Sequence, residues 1–438
     1  MPVFSKSHRY YLNGIDWAMV AIDRLNKKHT DLGNHSSLIL VLKGHLDKTS
    51  LAERLAKVLS NSSFVKGKIR RAWHLAPYWV SEPSDFTPQD MRFFKLESEN
   101  QDDLDSVIQN CATTPFKDEK TLLGFDLIHY SRQSYLIMRF DHKMFDARGA
   151  EALLERILDE KDTATDGQYN LPSQDAQLRS WKSRFLSGQI INRFLISGYS
   201  KGTRVAYFDQ KFNLDSSHIF FYNTFSSAQT SVIDNNAVKK AGYLMNGIYL
   251  LACVTKSFDL SFKNRNHSDN MLIPINVDVR ETKFSHAKIF FNNLSFMLFN
   301  VKQGFSLTEI TENLKKQFID QIRNKIPYHF INASLLMRIM PLALLSCFMS
   351  LKMKKYQCSF SFSYISEQAF HLNQVQGHEV VNLFHMPLVP VNPGIGVFFT
   401  RFNKKLNMII SSFDNRLSVQ EGKYLQEKIL SEIINEKI

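Results

Sequence analysis

The 438-residue sequence contains one short run whose residue types suit proton transfer, DHKMFD, with His142 and Asp146 four positions apart. A histidine titrates close to neutral pH and can take a proton from an alcohol, an amine or a thiol. Asp146 can fold back onto the same loop and fix its shape. The apolar segment SYLIMRF (134–140) precedes the run and AEALLERIL (150–158) follows it. A strand therefore delivers the histidine to a loop, where reactive side chains are commonly presented, and a helix closes the unit. Taken alone, the spacing fits a capped, solvated loop histidine equally well, because a chain with 14 His contains such pairs by chance.

The elements that must hold this loop follow from periodicity and turn chemistry. GFDLIHY (124–130) and SYLIMRF, joined through Ser131, Arg132 and Gln133, read as a hairpin. Upstream, a helix is expected over 15–25, capped by Asn13, with Asp16 at the positive end of its dipole. A strand follows at 37–42, ended by Gly44, and Asp47 caps a helix over 49–59. A further helix is expected over 101–113. The polar stretch 161–174 is the best linker in the chain. Beyond it lie helices over 236–258 and 307–325, strands over 272–280, 358–365 and 396–413, and a closing helix over 419–434. Strands and helices alternate throughout, so the class is α/β or α+β, in two halves, 1–175 and 176–438. In the strand 358–365, alternation places Ser359, Ser361 and Ser363 on one face.

Composition narrows the possibilities. Hydrophobic residues make up 44% and charged residues 22%, a globular mixture. Cys111, Cys253, Cys347 and Cys358 form no C-x-x-C pair, so neither a disulfide framework nor a structural zinc site is expected. The N-terminal stretch has no apolar core of signal-peptide type, and the protein is expected to be cytoplasmic with reduced thiols. The net charge of +12 is spread along the chain, densest at KGKIRR (66–71) and LKMKK (351–355), and no nucleic-acid-binding pattern accompanies it. It suits an anionic partner: a phosphorylated cofactor, an acidic carrier protein or a lipid surface. The apolar segment 339–351 is too short to span a bilayer. It reads either as a buried helix or as a helix lying at a membrane surface.

In sequence context, the stretch from Pro115-Phe116 through the hairpin to DHKMFDARGAEALLERI resembles the core signature of the chloramphenicol acetyltransferase-like acyltransferase superfamily. That superfamily includes condensation domains of nonribosomal peptide synthetases and the wax-ester synthase/diacylglycerol acyltransferases. HLAPYWVSEPSDF (74–86) resembles a segment of the wax-ester branch, INVDVRETKFSHAKIFFNNLSFMLF (275–299) the V-x-x-R and G-N segments, and PGIGVFFTRFNKKLNMIISSFDNRLS (393–418) the closing strands. The order of these pieces covers nearly the whole chain.

The resemblance implies two subdomains, each a mixed sheet packed by helices, with the active-site tunnel between them. His142 would be the general base of an HxxxD motif. It would move an acyl group from a thioester, acyl-CoA or an acyl-phosphopantetheine carrier, to a hydroxyl or amine acceptor of small-molecule or lipid type. Asp146 would be structural and paired with Arg280. Asp141, in place of the first histidine of the usual pair, would be a supporting residue, beside the imidazole or facing solvent. Ser361, Ser363 and Asn293 would belong to the substrate or oxyanion pocket. No permanently bound cofactor, metal or nucleic acid is implied. Ala147 replaces the usual glycine, with Gly149 two positions later as a substitute, and Asn292-Asn293 replaces Gly-Asn. The alternatives are a condensation-type enzyme acting on a carrier protein in trans, a non-catalytic binding or scaffold member of the fold, and a basic peripheral membrane protein of unrelated fold.

Overall fold

The computed structural model describes residues 10–60, 62, 65–159, 181–199, 216–262, 270–280, 289–355, 358–366 and 368–434. The expected linker 161–174 lies outside the described residues. In chain order the first part runs β1 (Tyr10–Tyr11), α1 (Gly14–Asn26), β2 (His35–Lys43), α2 (Lys48–Ser60), β3 (Gly67–Arg71), β4 (Pro77–Ser81), β5 (Arg92–Leu96), α3 (Gln101–Ala112), β6 (Leu123–Tyr130), β7 (Gln133–Asp141) and α4 (Ala147–Leu158). The second part begins with α5 (Trp181–Tyr199), β8 (His218–Phe225), α6 (Ser227–Lys240), α7 (Asn246–Phe262), β9 (Asn270–Asp278), β10 (Leu294–Lys302) and α8 (Leu307–Arg323). It ends with α9 (Ile326–Met337), α10 (Leu342–Lys355), β11 (Ser361–Ile365), β12 (Gln374–Val375), β13 (His378–Pro387), β14 (Ile395–Phe402), β15 (Lys405–Phe413) and α11 (Val419–Ile434).

Two six-stranded mixed sheets carry the architecture. One has the order β12-β13-β2-β7-β6-β5 and the other β10-β9-β11-β14-β15-β8; β1, β4 and β3 form a small third sheet. The first sheet is not built from the first part of the chain alone. The β12–β13 hairpin crosses over, and β13 pairs antiparallel with β2, Pro387 opposite Ser36 and Phe384 opposite Ile39. Each sheet buries its own apolar face against helices. Leu38, Leu40, Leu136 and Met138 pack with α2 and α4 residues in one core, and Met271, Phe299, Val397 and Ile410 pack with α7 and α11 residues in the other. A third cluster joins the lobes, with Ile137, Phe384 and Met386 packed against Ile409 and the Tyr222 ring stacked on Phe384 at 5.8 Å. This is the expected two-subdomain mixed α/β fold.

Three expected elements differ in ways that have a local cause. The helix foreseen over 236–258 is two helices, α6 and α7. Gly242 ends α6 at φ +105°, with its N–H on the Ala237 carbonyl, a left-handed stop that glycine adopts without strain. The strand over 396–413 is the β14–β15 hairpin, turned by Asn403 and Lys404, both at positive φ, the two-residue turn that matches strand twist. Finally, β11 starts at Ser361, not at 358. Ser359 is fully buried and its Oγ accepts the Leu272 N–H at 3.2 Å, so it leaves the row expected for it.

The apolar segment 339–351 becomes α10 only after Pro341, as a proline at the helix start permits. Leu345 and Ser346 are buried, but Leu344, Cys347, Phe348 and Leu351 are exposed, so the fully buried alternative does not hold. No helix among the described residues is long and apolar enough to cross a membrane.

Candidate active site

The loop after β7 holds every residue of HKMFD in place by a different means. Met144 and Phe145 are fully buried in the first core. Lys143 is buried with its Nζ 2.8 Å from Asp141 and 3.5 Å from Asp23. Burial works against that ammonium, but the two carboxylates prevail and hold its pKa above the ordinary lysine value. Asp141 therefore neither faces solvent nor turns toward the imidazole. It belongs to a buried ion triad beneath the loop, and its Oδ1 also accepts the Lys143 N–H at 2.9 Å.

Asp146 caps α4. Its Oδ1 accepts the Gly149 N–H at 2.9 Å and the Arg280 Nη2 at 2.5 Å, and its Oδ2 accepts the Asn293 N–H at 2.8 Å. The Asp146 and Arg280 side chains are nearly fully buried. Arg280 also reaches Asp278 Oδ1 at 3.2 Å. One carboxylate thus joins the start of α4, the end of β9 and the start of β10. Ala147 is the first residue of α4 and keeps negative φ, so the missing glycine costs nothing there. Gly149 serves a different end: a Cβ on it would lie 2.3 Å from the Ile289 carbonyl oxygen. The residue is small so that the segment before β10 can cross the first turn of α4.

That segment delivers Asn292. Phe291, at φ 68°, donates its N–H to Met144 O at 2.7 Å and turns the chain so that the next amide meets the histidine. Asn292 Oδ1 lies 3.0 Å from His142 Nδ1. Asn292 Nδ2 donates to the His142 carbonyl at 2.9 Å and to Asp16 Oδ1 at 3.1 Å. Two acceptors around Nδ2 fix the amide orientation, so Oδ1 must face the ring and Nδ1 must carry the ring proton. Nε2 is then the free lone pair. Asp16, expected only as a helix-end carboxylate, accepts the Asn292 N–H at 2.8 Å and the Asn13 N–H at 2.7 Å. Burial pushes its carboxyl up to about 7, opposed by these hydrogen bonds.

His142 borders a cavity of about 630 Å³ between the two lobes. Phe140 and Ser36 come from the first sheet, and Met297, Phe362, Phe398 and Ser363 from the second. The α6–α7 break brings Leu244, Met245 and Asn246 to the same wall. Farther along, Arg401 is clamped by Asp234, with Nη1 3.0 Å from Oδ2 and Nη2 on Oδ1, and its Nε donates to Tyr364 Oη at 2.7 Å. Of the residues singled out in the sequence, His142, Asp146, Arg280 and Ser363 border this cavity. Ser361 does not, and Asn293 is turned away, its Nδ2 donating to Phe291 O at 3.1 Å. Sequence reasoning missed Asn292, Thr400 and His385. Thr400 is buried in the cavity wall, with its hydroxyl unpartnered among the described residues. It stands opposite Ile365 on β14, two positions beyond the partner of Ser363.

No family model matches the sequence, and no curated protein matches it. Solved structures do match its fold. The first condensation domain of the calcium-dependent antibiotic synthetase, in complex with a substrate analogue, superposes with a TM-score of 0.70 at 12% identity, covering 98% of this chain and 96% of that one. A trichothecene 15-O-acetyltransferase from Fusarium sporotrichioides gives 0.68 at 10% identity, covering 97% and 95%. The starter condensation domain of rhizomide synthetase, in complex with C8-CoA, gives 0.67 at 11% identity, covering 98% and 96%. The chain has the chloramphenicol acetyltransferase-like fold over nearly its whole length.

Proposed function

We propose that this fold works here as an acyltransferase, moving an acyl group from a thioester to a hydroxyl or amine with His142 as the general base. The observation that carries the reading is the His142 imidazole, which borders the interlobe cavity with Nδ1 occupied by Asn292 and Nε2 left as a proton acceptor. The fold likeness to condensation domains and an O-acetyltransferase agrees with it.

The chemistry balances without a covalent enzyme intermediate. Nε2 takes the proton of the acceptor O–H or N–H as its oxygen or nitrogen attacks the thioester carbonyl. The carbonyl oxygen becomes an oxyanion, and the Ser363 hydroxyl, on a β11 residue that borders the cavity, is the donor this reading assigns to it. Collapse expels the thiolate, which recovers the proton from the imidazolium. The Asp146–Arg280 pair takes no proton; it holds the start of α4 and the approach to β10 so that His142 and Asn292 stay in register. The ring of Phe140, Phe318, Phe362 and Phe398 around the cavity suits an apolar acyl group.

The donor is acyl-CoA or an acyl-phosphopantetheine carrier, the second corresponding to a condensation-type reaction. The test is a screen for free-thiol release from acyl-CoAs of increasing chain length, and from the same acyl groups on a carrier protein, against alcohols and amines. Release requiring acceptor and donor together supports the reading, and the better donor decides between the two forms. Absence of release from every combination contradicts the reading and favours a binding role for the fold.

A further inference from the structure

The cavity reaches the surface where α6 gives way to α7. Gly242 donates its N–H to the Ala237 carbonyl at 3.1 Å, and Met245 donates to the Gly242 carbonyl at 3.2 Å, so a short closed turn carries Tyr243 and Leu244 at its crown. These two side chains are 80% and 81% exposed. Leu244 also lines the cavity, which places an opening beside it. Its φ of 61° is a left-handed conformation that leucine rarely adopts, and the hydrogen bonds at both ends of the turn hold it there.

Helix α8 forms the facing edge. Phe318 lines the cavity from this helix, and Lys315, Ile319 and Ile322 share its face at helical spacing. Ile319 and Ile322 are 44% and 50% exposed. Gly242 is where the two edges meet: a Cβ on it would lie 3.9 Å from Lys315 Nζ. Tyr243, Leu244, Ile319 and Ile322 therefore form an apolar rim at the opening of a phenyl-lined cavity, and exposed apolar groups gathered in one place mark a contact surface.

The charge around this rim is of one sign. Residues 238–245 and 315–325 contain six cations, Lys239, Lys240, Lys315, Lys316, Arg323 and Lys325, against one acid, Asp320. All but the half-buried Lys315 are exposed.

We infer that this rim is a docking surface for a bilayer containing anionic lipid. Tyr243 and Leu244 enter the interface, where a tyrosine ring is favoured at the level of the headgroups. The cations face the lipid phosphates, each contributing about fivefold in affinity near such a surface. Lipid suits the rim better than a folded partner does. Two side chains four-fifths exposed at the crown of a turn insert into a fluid interface, but they offer a protein no groove to fill. The cavity then opens onto lipid, in keeping with its interior.

The test is co-sedimentation of the full chain with vesicles of phosphatidylcholine alone and of phosphatidylcholine with about one-third phosphatidylglycerol, at low and at high salt. Wild type is expected to bind the anionic vesicles about tenfold or more tighter than the neutral ones, and less tightly in high salt. Lys315→Gln/Lys316→Gln should weaken binding by about 20- to 30-fold. Tyr243→Ser/Ile322→Ser leaves the charge unaltered and should weaken it by about tenfold. The exposed residues of α10 provide the control: Leu344→Ser/Leu351→Ser should bind as wild type does. Thermal melts of each variant confirm that it is folded. No binding of wild type to the anionic vesicles overturns the inference. So does binding that is lost in the α10 variant and kept in both rim variants, or capture of an acidic acyl carrier protein with no capture of vesicles. None of these readouts uses turnover, so a failed thiol-release screen overturns the acyl-transfer reading alone.

Discussion

Asn292 Oδ1 sits 3.0 Å from His142 Nδ1, across 150 residues of sequence, and its Nδ2 is held at the same time by Asp16 and by the His142 carbonyl. The amide can present only its oxygen to the ring. The tautomer of the proposed base is thereby written into the fold by a residue outside the HxxxD run.

Replacing that amide should separate positioning from chemistry. Asn292→Ala frees the ring to rotate and to change tautomer, and kcat should fall by about 10²-fold or less while KM for the thioester changes little. Asn292→Asp places a carboxylate against Nδ1, which favours the imidazolium. The acidic limb of the kcat/KM profile should then move to higher pH. A profile that superposes on wild type would contradict the tautomer argument. Steady-state kinetics between pH 5 and 9 provide the check.

Asp16 gives a pH-dependent stability signature. Its carboxyl sits at about 7 in the folded chain because it is buried, against an ordinary value of 3.8. The folded state therefore holds a proton that the unfolded state releases near pH 4. Stability from this group is complete below that pH and declines as pH rises toward 7. Urea unfolding of wild type at pH 5 and pH 7.5 should show about 2 to 3 kcal/mol more loss across the interval than Asp16→Asn shows. Equal losses in the two proteins would mean that the carboxyl ionises freely.

The Asp146–Arg280 pair is expected to act on stability first. Asp146→Ala leaves a buried guanidinium short of its main partner and should cost about 3–5 kcal/mol in urea unfolding. Asp146→Asn keeps an acceptor for the Gly149 N–H and should cost less. A loss below 1 kcal/mol for the alanine variant would show that Asp278 alone satisfies Arg280.

Much of this arrangement is legible in the sequence where the signal is local. Asn13 caps α1 with Asp16 in a reciprocal capping box, the Ser131–Arg132 turn joins β6 to β7, and α11 spans the expected Val419–Ile434. The two-lobed class follows from the alternation of elements, and the HKMFD loop from a strand running into a helix. The rest depends on pairings that no periodicity encodes. Nothing near His378–Pro387 indicates that this strand will join β2, more than 300 positions away, or that His385 will meet Glu151. Asn292 reads as half of a degenerate Gly-Asn motif, and its partnership with His142 exists only once Phe291 has taken a left-handed conformation. Gly242 and the Asn403-Lys404 turn carry no separate signal, because each sits inside an otherwise continuous pattern. A single left-handed residue can end a helix without disturbing the hydrophobic period on either side.

Acyl transfer by this fold would depend on His142 above every other side chain. The decisive measurement is single-turnover thiol release from the best donor and acceptor pair, wild type against His142→Ala, with circular dichroism and thermal melts showing that the variant is folded. Removal of the base should slow transfer by about 10²- to 10⁴-fold while thioester binding persists. A folded His142→Ala protein that transfers the acyl group at the wild-type rate would contradict the central claim.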